Sequence, residues 1–123
     1  MATFSKLTLQ PAGATGTGLG IKVAATATAG TALHTASATA TTIDEIWLYA
    51  VNTSSASVKL TIEWGQADAP DGNIEVTVLP EAGLVTVIPG LLLQGNATAK
   101  VVRAFAGTTN VLVVHGFVNR ITV

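Results

Sequence analysis

Cysteine is absent from this chain of 123 residues, and charged residues make up only 11% of it. The lack of cysteine excludes disulfide bonds, thiolate catalysis and the common structural zinc sites. Six basic residues against seven acidic ones give a net charge of −1. Because nucleic acids and anionic membrane surfaces are bound through dense basic patches, neither is predicted as a partner.

Long apolar runs are missing as well. The longest run, around residues 84–93, is interrupted by Pro89 and Gly90, whereas a membrane-spanning helix needs about 20 consecutive apolar residues. The first residues show no charged leader followed by an apolar block, so no secretory signal is expected. Synthesis in a cytoplasm is therefore the default expectation.

The residues that carry chemistry are few and scattered. The two histidines, His34 and His115, lie far apart in the sequence and outside any metal-binding spacing. Two acidic pairs are expected at solvated strand ends or in loops: Asp44 with Glu45, and Asp68 with Asp71. The chain has neither the Gly-x-Ser-x-Gly of a serine nucleophile nor the Gly-Lys-Ser/Thr of a phosphate-binding loop. We therefore predict no enzymatic activity, no cofactor and no metal ion.

Short segments that alternate apolar and polar residues dominate the chain from residue 43 onward. In residues 58–64 every even position is apolar and every odd one polar, which is the period of a strand with one solvated face. Gly, Pro and Asn separate such segments at even intervals. The pattern predicts an all-β fold, a single β-sandwich or jelly-roll-like domain of about eight short antiparallel strands. The strands are expected at 46–52, 57–64, 73–79, 84–88, 91–93, 100–106 and 111–123, with Pro89 and Gly90 ending one of them.

Residues 1–42 differ in composition, since Ala, Thr and Gly dominate and large apolar side chains are rare. Such a segment buries little area for the backbone entropy that it loses. We predict an extended N-terminal arm over 1–42, ordered by a neighbour, and a β-sandwich domain over 43–123. Short strands are expected within the arm, at 4–9, 21–27 and 31–35.

Apolar residues make up 49% of the chain, so part of the apolar surface is expected to meet another protein. Five residues are the interface candidates: Phe4, Leu7 and Leu9 in the arm, and Trp47 and Tyr49 in the body. The segment 46–51 is apolar on both faces. Core burial of its two aromatic residues is the favoured interpretation, and an interface anchor is the alternative.

Several stretches of the last two thirds of the chain resemble small structural proteins of tailed bacteriophages, most closely head-decoration or cement proteins. The stretches are residues 44–54, 58–65, 87–90 and 113–121. The resemblance implies a β-sandwich that forms a homo-oligomer, most simply a homotrimer, on the capsid surface of the virion and clamps neighbouring subunits of the major capsid protein. The N-terminal arm would add a strand to a neighbour's sheet edge.

Two alternatives to capsid decoration stay open at this point. A tail or fibre-associated structural subunit belongs to the same class of virion protein. A glycan-binding β-sandwich belongs to another class and needs exposed aromatic side chains, for which only Trp47, Tyr49 and Trp64 are available in a chain with 5% aromatic residues.

Overall fold

Nine β-strands form the computed structural model, which describes residues 2–13 and 16–123. The strands are β1 (Thr3–Thr8), β2 (Ile21–Lys22), β3 (Thr31–Thr35), β4 (Thr42–Asn52), β5 (Val58–Glu63), β6 (Asn73–Val78), β7 (Val85–Gln94), β8 (Val101–Ala106) and β9 (Leu112–Thr122). Within these two ranges no helix is long and apolar enough to cross a membrane. The predicted all-β fold is confirmed.

The strands form two antiparallel sheets that pack face to face. Sheet I has the order β1-β9-β4-β7, and the short β2 pairs with β9 beside β1. Sheet II has the order β3-β8-β5-β6. The longest ladder joins β4 to β9 over eleven residue pairs, from Thr42 opposite Thr122 to Asn52 opposite Leu112. These two strands form the centre of sheet I.

Alternation in the sequence explains how each sheet meets the core. Along β4 the even residues are buried and the odd residues are half-buried, because successive side chains of a strand point to opposite faces. The core lies between the sheets and contains fully buried side chains from both. The largest of them are Leu33, Ile46, Leu48, Leu60, Ile62, Ile88 and Leu112.

Strand β7 contradicts one predicted boundary. Pro89 and Gly90 were expected to end a strand, but β7 continues through both. The reason is that β7 pairs only with β4 and is an edge strand, where the missing amide of a proline removes no ladder bond on the open side. A register shift between Ile46 and Trp47 accommodates the kink, and Gly90 takes a positive φ of 81°.

The first 42 residues are part of the sandwich, so their separation as an arm is corrected. Strand β1 pairs with β9 of the same chain over six residue pairs, and β3 pairs with β8. Four side chains of this region belong to the core: Leu9, Val23, Leu33 and Ala36. Few large apolar residues suffice because ladder hydrogen bonds hold the backbone. Within the predicted arm, residues 1, 14 and 15 lie outside the described ranges.

Leu9 provides a direct test of this integration. Leu9 is 5% exposed, whereas Leu19 in the same region is 76% exposed. Leu9→Ala is expected to lower the free energy of unfolding by about 2–3 kcal/mol, since it leaves a cavity beside β1. Leu19→Ala is the matched control and should change it by less than about 0.5 kcal/mol. If urea unfolding gave the same loss in the free energy of unfolding for both variants, residue 9 would not be held in the core.

Candidate interaction face

The outer face of sheet I is apolar for most of its length. Its outward-pointing residues on β4 are Ile43, Glu45, Trp47, Tyr49 and Val51, and those opposite on β9 are Ile121, Asn119, Phe117, His115 and Val113. Among these ten residues Glu45 is the one with a charged side chain at neutral pH when histidine is neutral. Phe4 and Lys6 extend the face on β1, and Leu92 extends it on β7.

The outer face of sheet II is polar by contrast. Strands β5 and β6 present Lys59, Thr77 and Glu75 there, and Lys59 forms an ion pair with Glu75 at 2.6 Å. The outer face of sheet II is therefore suited to contact with water, whereas the outer face of sheet I is not. Soluble proteins rarely leave a large apolar patch open to solvent, and such patches mark contact sites.

A row of contacts crosses four of the five strands of sheet I, from β1 to β7. The rings of Trp47 and Phe117 stack with centroids 5.9 Å apart and an interplanar angle of 9°. The Nζ of Lys6 lies 5.1 Å from the centroid of Phe117, within the range of a cation–π contact. On the other side, the indole of Trp47 covers Gly90, where a Cβ atom would lie 2.7 Å from the ring. The row makes this part of the face rigid.

Glu45 is fixed in place by its neighbours on the same face. Its Oε1 accepts hydrogen bonds from the indole nitrogen of Trp47 at 2.8 Å and from the side-chain amide of Asn119 at 3.0 Å. These two hydrogen bonds, the larger from Trp47, lower the pKa of Glu45 below its ordinary value. The carboxylate is therefore ionised at neutral pH, and both donors reach its Oε1 atom, while Oε2 has no hydrogen-bond partner in residues 2–13 and 16–123.

One end of the face opens into a shallow cleft of about 380 Å³. Its lining includes Phe4, Lys6, Glu45, Asn119 and Ile121. Phe4 is 74% exposed, which is unusual for a phenylalanine. The cleft therefore brings apolar side chains together with two basic residues, Lys6 and Arg120, and one acidic residue, Glu45.

The five predicted interface residues separate into two groups. Phe4, Trp47 and Tyr49 share the outer face of sheet I. Leu7 packs against the core and Leu9 is a member of it, so neither side chain is available to a partner, and these two candidates are corrected. The favoured core position for Trp47 and Tyr49 is also wrong, because both lie on the outer face of a strand whose other face is buried.

Sequence reasoning missed the residues that complete the face. Phe117 and Ile121 lie in the final strand, and Glu45 and Asn119 join them only because β4 and β9 pair in one register. The alternation of β9 contained a usable signal, since Val113, Phe117 and Ile121 fall on one parity. The local sequence does not indicate which strands pair with β9.

Beneath the face, Asp44 is the centre of a buried ionic network. Arg120 donates two hydrogen bonds to its carboxylate, from Nε at 2.7 Å and from Nη2 at 2.9 Å. The Nε2 of His34 lies 2.8 Å from Oδ2, and the backbone amide of Gln10 donates to Nδ1 of His34 at 3.2 Å. Because Nδ1 accepts, Nε2 carries the proton and donates to Asp44. The network joins β4 and β9 of sheet I to β3 of sheet II.

This network holds the fold and is poorly placed for catalysis. His34 and Asp44 are 0% and 1% exposed, and both ring nitrogens of His34 are already engaged. The prediction of a solvated Asp44 is corrected, since its pairing with His34 depends on β3 lying across from β4. In contrast, Asp68 and Asp71 are exposed in a loop as predicted.

The pKa of Asp44 reflects opposing influences. Burial is the largest and would raise the pKa, but the hydrogen bonds and charges of Arg120 and His34 together lower it below the ordinary value of 3.8. The hydrogen bonds that Arg120 donates to Asp44 raise the pKa of Arg120 above its ordinary value. The carboxylate and the guanidinium are therefore both charged at neutral pH.

Acid is expected to weaken the fold through Asp44. A folded pKa below the unfolded value means that its contribution is complete above about pH 4 and is lost as the pH falls through the folded pKa. Urea unfolding measured from about pH 6 down to about pH 2.5 should show a loss of stability in this window that is smaller in Asp44→Asn. An identical acid profile in the variant would contradict the assignment.

A second buried carboxylate, Glu63, lies on the outer face of sheet II beneath the loop that precedes β3. The hydroxyl of Thr28 donates to Oε2, and the amide of Gly30 donates to Oε1 at 2.7 Å. Arg103, its cross-strand neighbour, donates to the carbonyl of Gly30 at 3.3 Å. The alternation of β5 predicts a solvated Glu63, and that prediction is wrong because this loop covers it and leaves it 1% exposed.

Within the part of the chain that the structure describes, no three His, Cys, Asp or Glu residues cluster closely enough to hold a metal ion. No protein-family model matches the sequence, and searches among curated proteins and among solved structures find none that is significantly similar to this chain.

Proposed function

We propose that this protein is a non-enzymatic virion structural protein, a capsid decoration protein that binds the assembled head of a tailed phage as a homo-oligomer. The observation that carries the proposal is the apolar outer face of sheet I, with the Trp47–Phe117 stack at its middle and the exposed Phe4 at its end. A face of this kind is suited to lasting contact between proteins.

The construction of the fold also suits such a role. The buried Asp44 network ties the last strand and the N-terminal region to the centre of the sandwich, so both ends of the chain are held. A decoration protein that binds only the assembled shell stabilises that shell by mass action. Several copies that act together add avidity without any catalytic residue.

Co-sedimentation tests the proposal directly. Purified protein is mixed with empty, assembled shells of the major capsid protein encoded in the same genome, and the bound fraction is measured against protein concentration. We expect saturable binding at a fixed ratio to the capsid subunits. Shells with bound protein should also withstand higher temperatures than bare shells. Absence of binding to assembled shells, with intact protein recovered in the supernatant, would overturn the proposal.

The purified protein also serves to test the two alternative functions. A tail or fibre-associated subunit is expected to form rings or tubes in electron micrographs of the purified protein. A glycan-binding module is expected to show tryptophan fluorescence that changes with added sugar. That second outcome is disfavoured, because Trp64 packs against the core and Trp47 is covered on both sides by Phe117 and Gly90.

A further inference from the structure

On the outer face of sheet I, Lys6 and Glu45 lie at the same level on opposite sides of β9, and a second cation, Lys22 on β2, lies at the level of Val113. Lys6 on β1 is the register partner of Asn119, and Asn119 is also the register partner of Glu45 on β4. The three residues form one row across the strands, and Asn119 lies between the two charges. Strand spacing places Lys6 and Glu45 about 10 Å apart at the backbone.

Both charged groups are available to a partner. Lys6 is exposed, and its ammonium group lies over the ring of Phe117. Glu45 uses Oε1 for both of its hydrogen bonds, so within residues 2–13 and 16–123 its Oε2 has no donor. Within residues 2–13 and 16–123, the ion pairs are those of His34 and Arg120 with Asp44 and of Lys59 with Glu75, and neither Lys6 nor Glu45 takes part.

We infer that a second copy of this chain covers the outer face of sheet I, related by a twofold axis that lies in the interface and runs parallel to β9. A half-turn about that axis exchanges the two sides of β9 and keeps each row at its own level. Lys6 of each copy then faces Glu45 of the other, which gives two opposite-charge contacts. Phe4 faces Ile43 in the neighbouring row, and the two copies of Ile121 meet at the axis.

Two other twofold axes, one across the strands and one parallel to them, do not bring Lys6 opposite Glu45. A twofold axis across the strands leaves Lys6 on the β1 side of both copies and never brings it opposite Glu45. A twofold axis parallel to the strands but placed between β4 and β9 brings Lys6 opposite β7, where Leu92 stands at the level of Glu45. A threefold axis cannot place the same face of two copies against each other, because such contact is isologous and requires a twofold axis.

The size of the contact reaches the lower bound for a stable pair. With the axis over β9, the strands that lie over one another are β1, β9 and β4, and β4 is 11 residues long. At about 4.8 Å per strand and about 3.3 Å per residue, the contact measures roughly 14 by 36 Å, or roughly 500 Å² per copy. Specific interfaces bury about 800 Å² per partner, and a total of about 1,000 Å² is the lower bound for a biological interface.

The pairing goes beyond capsid decoration, because it occurs in the purified protein without a capsid. It replaces the homotrimer that the phage resemblance implies with a twofold pair at this face. If purified protein pairs but does not bind assembled shells, the pairing stands and the capsid proposal fails. If the protein is monomeric in solution and binds shells, the capsid proposal stands and the pairing fails.

Two charge reversals test the axis. In Lys6→Glu two glutamates face each other at both contacts, and in Glu45→Lys two lysines do so. Each variant alone is expected to dimerise at least about tenfold more weakly than the wild type in sedimentation equilibrium, since like charges at an interface suppress pairing. Lys100→Glu, beside sheet II, is the matched control and should pair as the wild type does.

Mixing the two variants gives the decisive result. In a mixed pair every contact again joins a glutamate to a lysine, so an equimolar mixture should recover dimerisation to within about threefold of the wild type. Native mass spectrometry with one variant labelled with nitrogen-15 identifies the mixed species. Misfolding of either variant cannot produce this rescue, because a damaged chain would not pair with the other. The inference is overturned if the wild type is monomeric, if Lys100→Glu is equally weakened, or if the mixture pairs no better than each variant alone.

Discussion

Replacing Asp44 with alanine is expected to lower the free energy of unfolding by about 3–5 kcal/mol, because it leaves a buried histidine and a partly buried arginine without their shared anion. Arg120 would keep its charge beneath the face with no carboxylate to receive its two hydrogen bonds. His34, which is fully buried, would lose the acceptor for its Nε2 proton. The loss should be visible in urea unfolding followed by tryptophan fluorescence.

Asp71→Ala provides the control for this change. Asp71 is exposed in the loop between β5 and β6, and its removal should alter the free energy of unfolding by less than about 0.5 kcal/mol. A small effect of Asp44→Ala, comparable to that control, would mean that the network does not hold the two sheets together.

Gly30→Ala is the second substitution with a large expected effect. A Cβ atom at this position would lie 2.5 Å from the carbonyl carbon and oxygen of Ala104, so either the loop or β8 must move. Movement of the loop removes the amide that donates to Glu63 at 2.7 Å and leaves a buried carboxylate short of a donor. We expect a loss of about 3–5 kcal/mol, from overpacking and from the unpaired charge together.

Gly107→Ala is the control that separates a steric clash from the general effect of replacing glycine with alanine. Its Cβ atom would meet the backbone of Lys59 at 3.9 Å, an ordinary contact. The free energy of unfolding should then change by less than about 0.5 kcal/mol. Similar losses at both glycines in thermal unfolding would contradict the account of the loop over Glu63.

The strands were predictable because their signal is local. Alternation within β5 and β9 and the turn residues between strands place most boundaries within about two residues of those observed. The pairing of β1 with β9 joins residues more than a hundred positions apart. No periodicity within the first 42 residues encodes that contact, so their composition alone favoured a separate arm.

The candidate face was predictable only in part, and Trp47 shows why. A strand with two apolar faces is compatible with burial on both sides or with burial on one side and a partner on the other. Local sequence does not distinguish these cases, because the answer depends on whether a third layer covers sheet I. The burial of Asp44 could have been predicted from the sequence. Asp44 shares the parity of Ile46 and Leu48 and therefore faces the core.

The central claim is that the outer face of sheet I is a contact surface between proteins, and the solution mass of the wild-type protein tests it most directly. One chain has a mass of 12.4 kDa. Light scattering coupled to size-exclusion chromatography, repeated over a wide range of concentrations, should approach the mass of two chains, 2 × 12.4 = 24.8 kDa. A mass of one chain at every concentration would contradict the account.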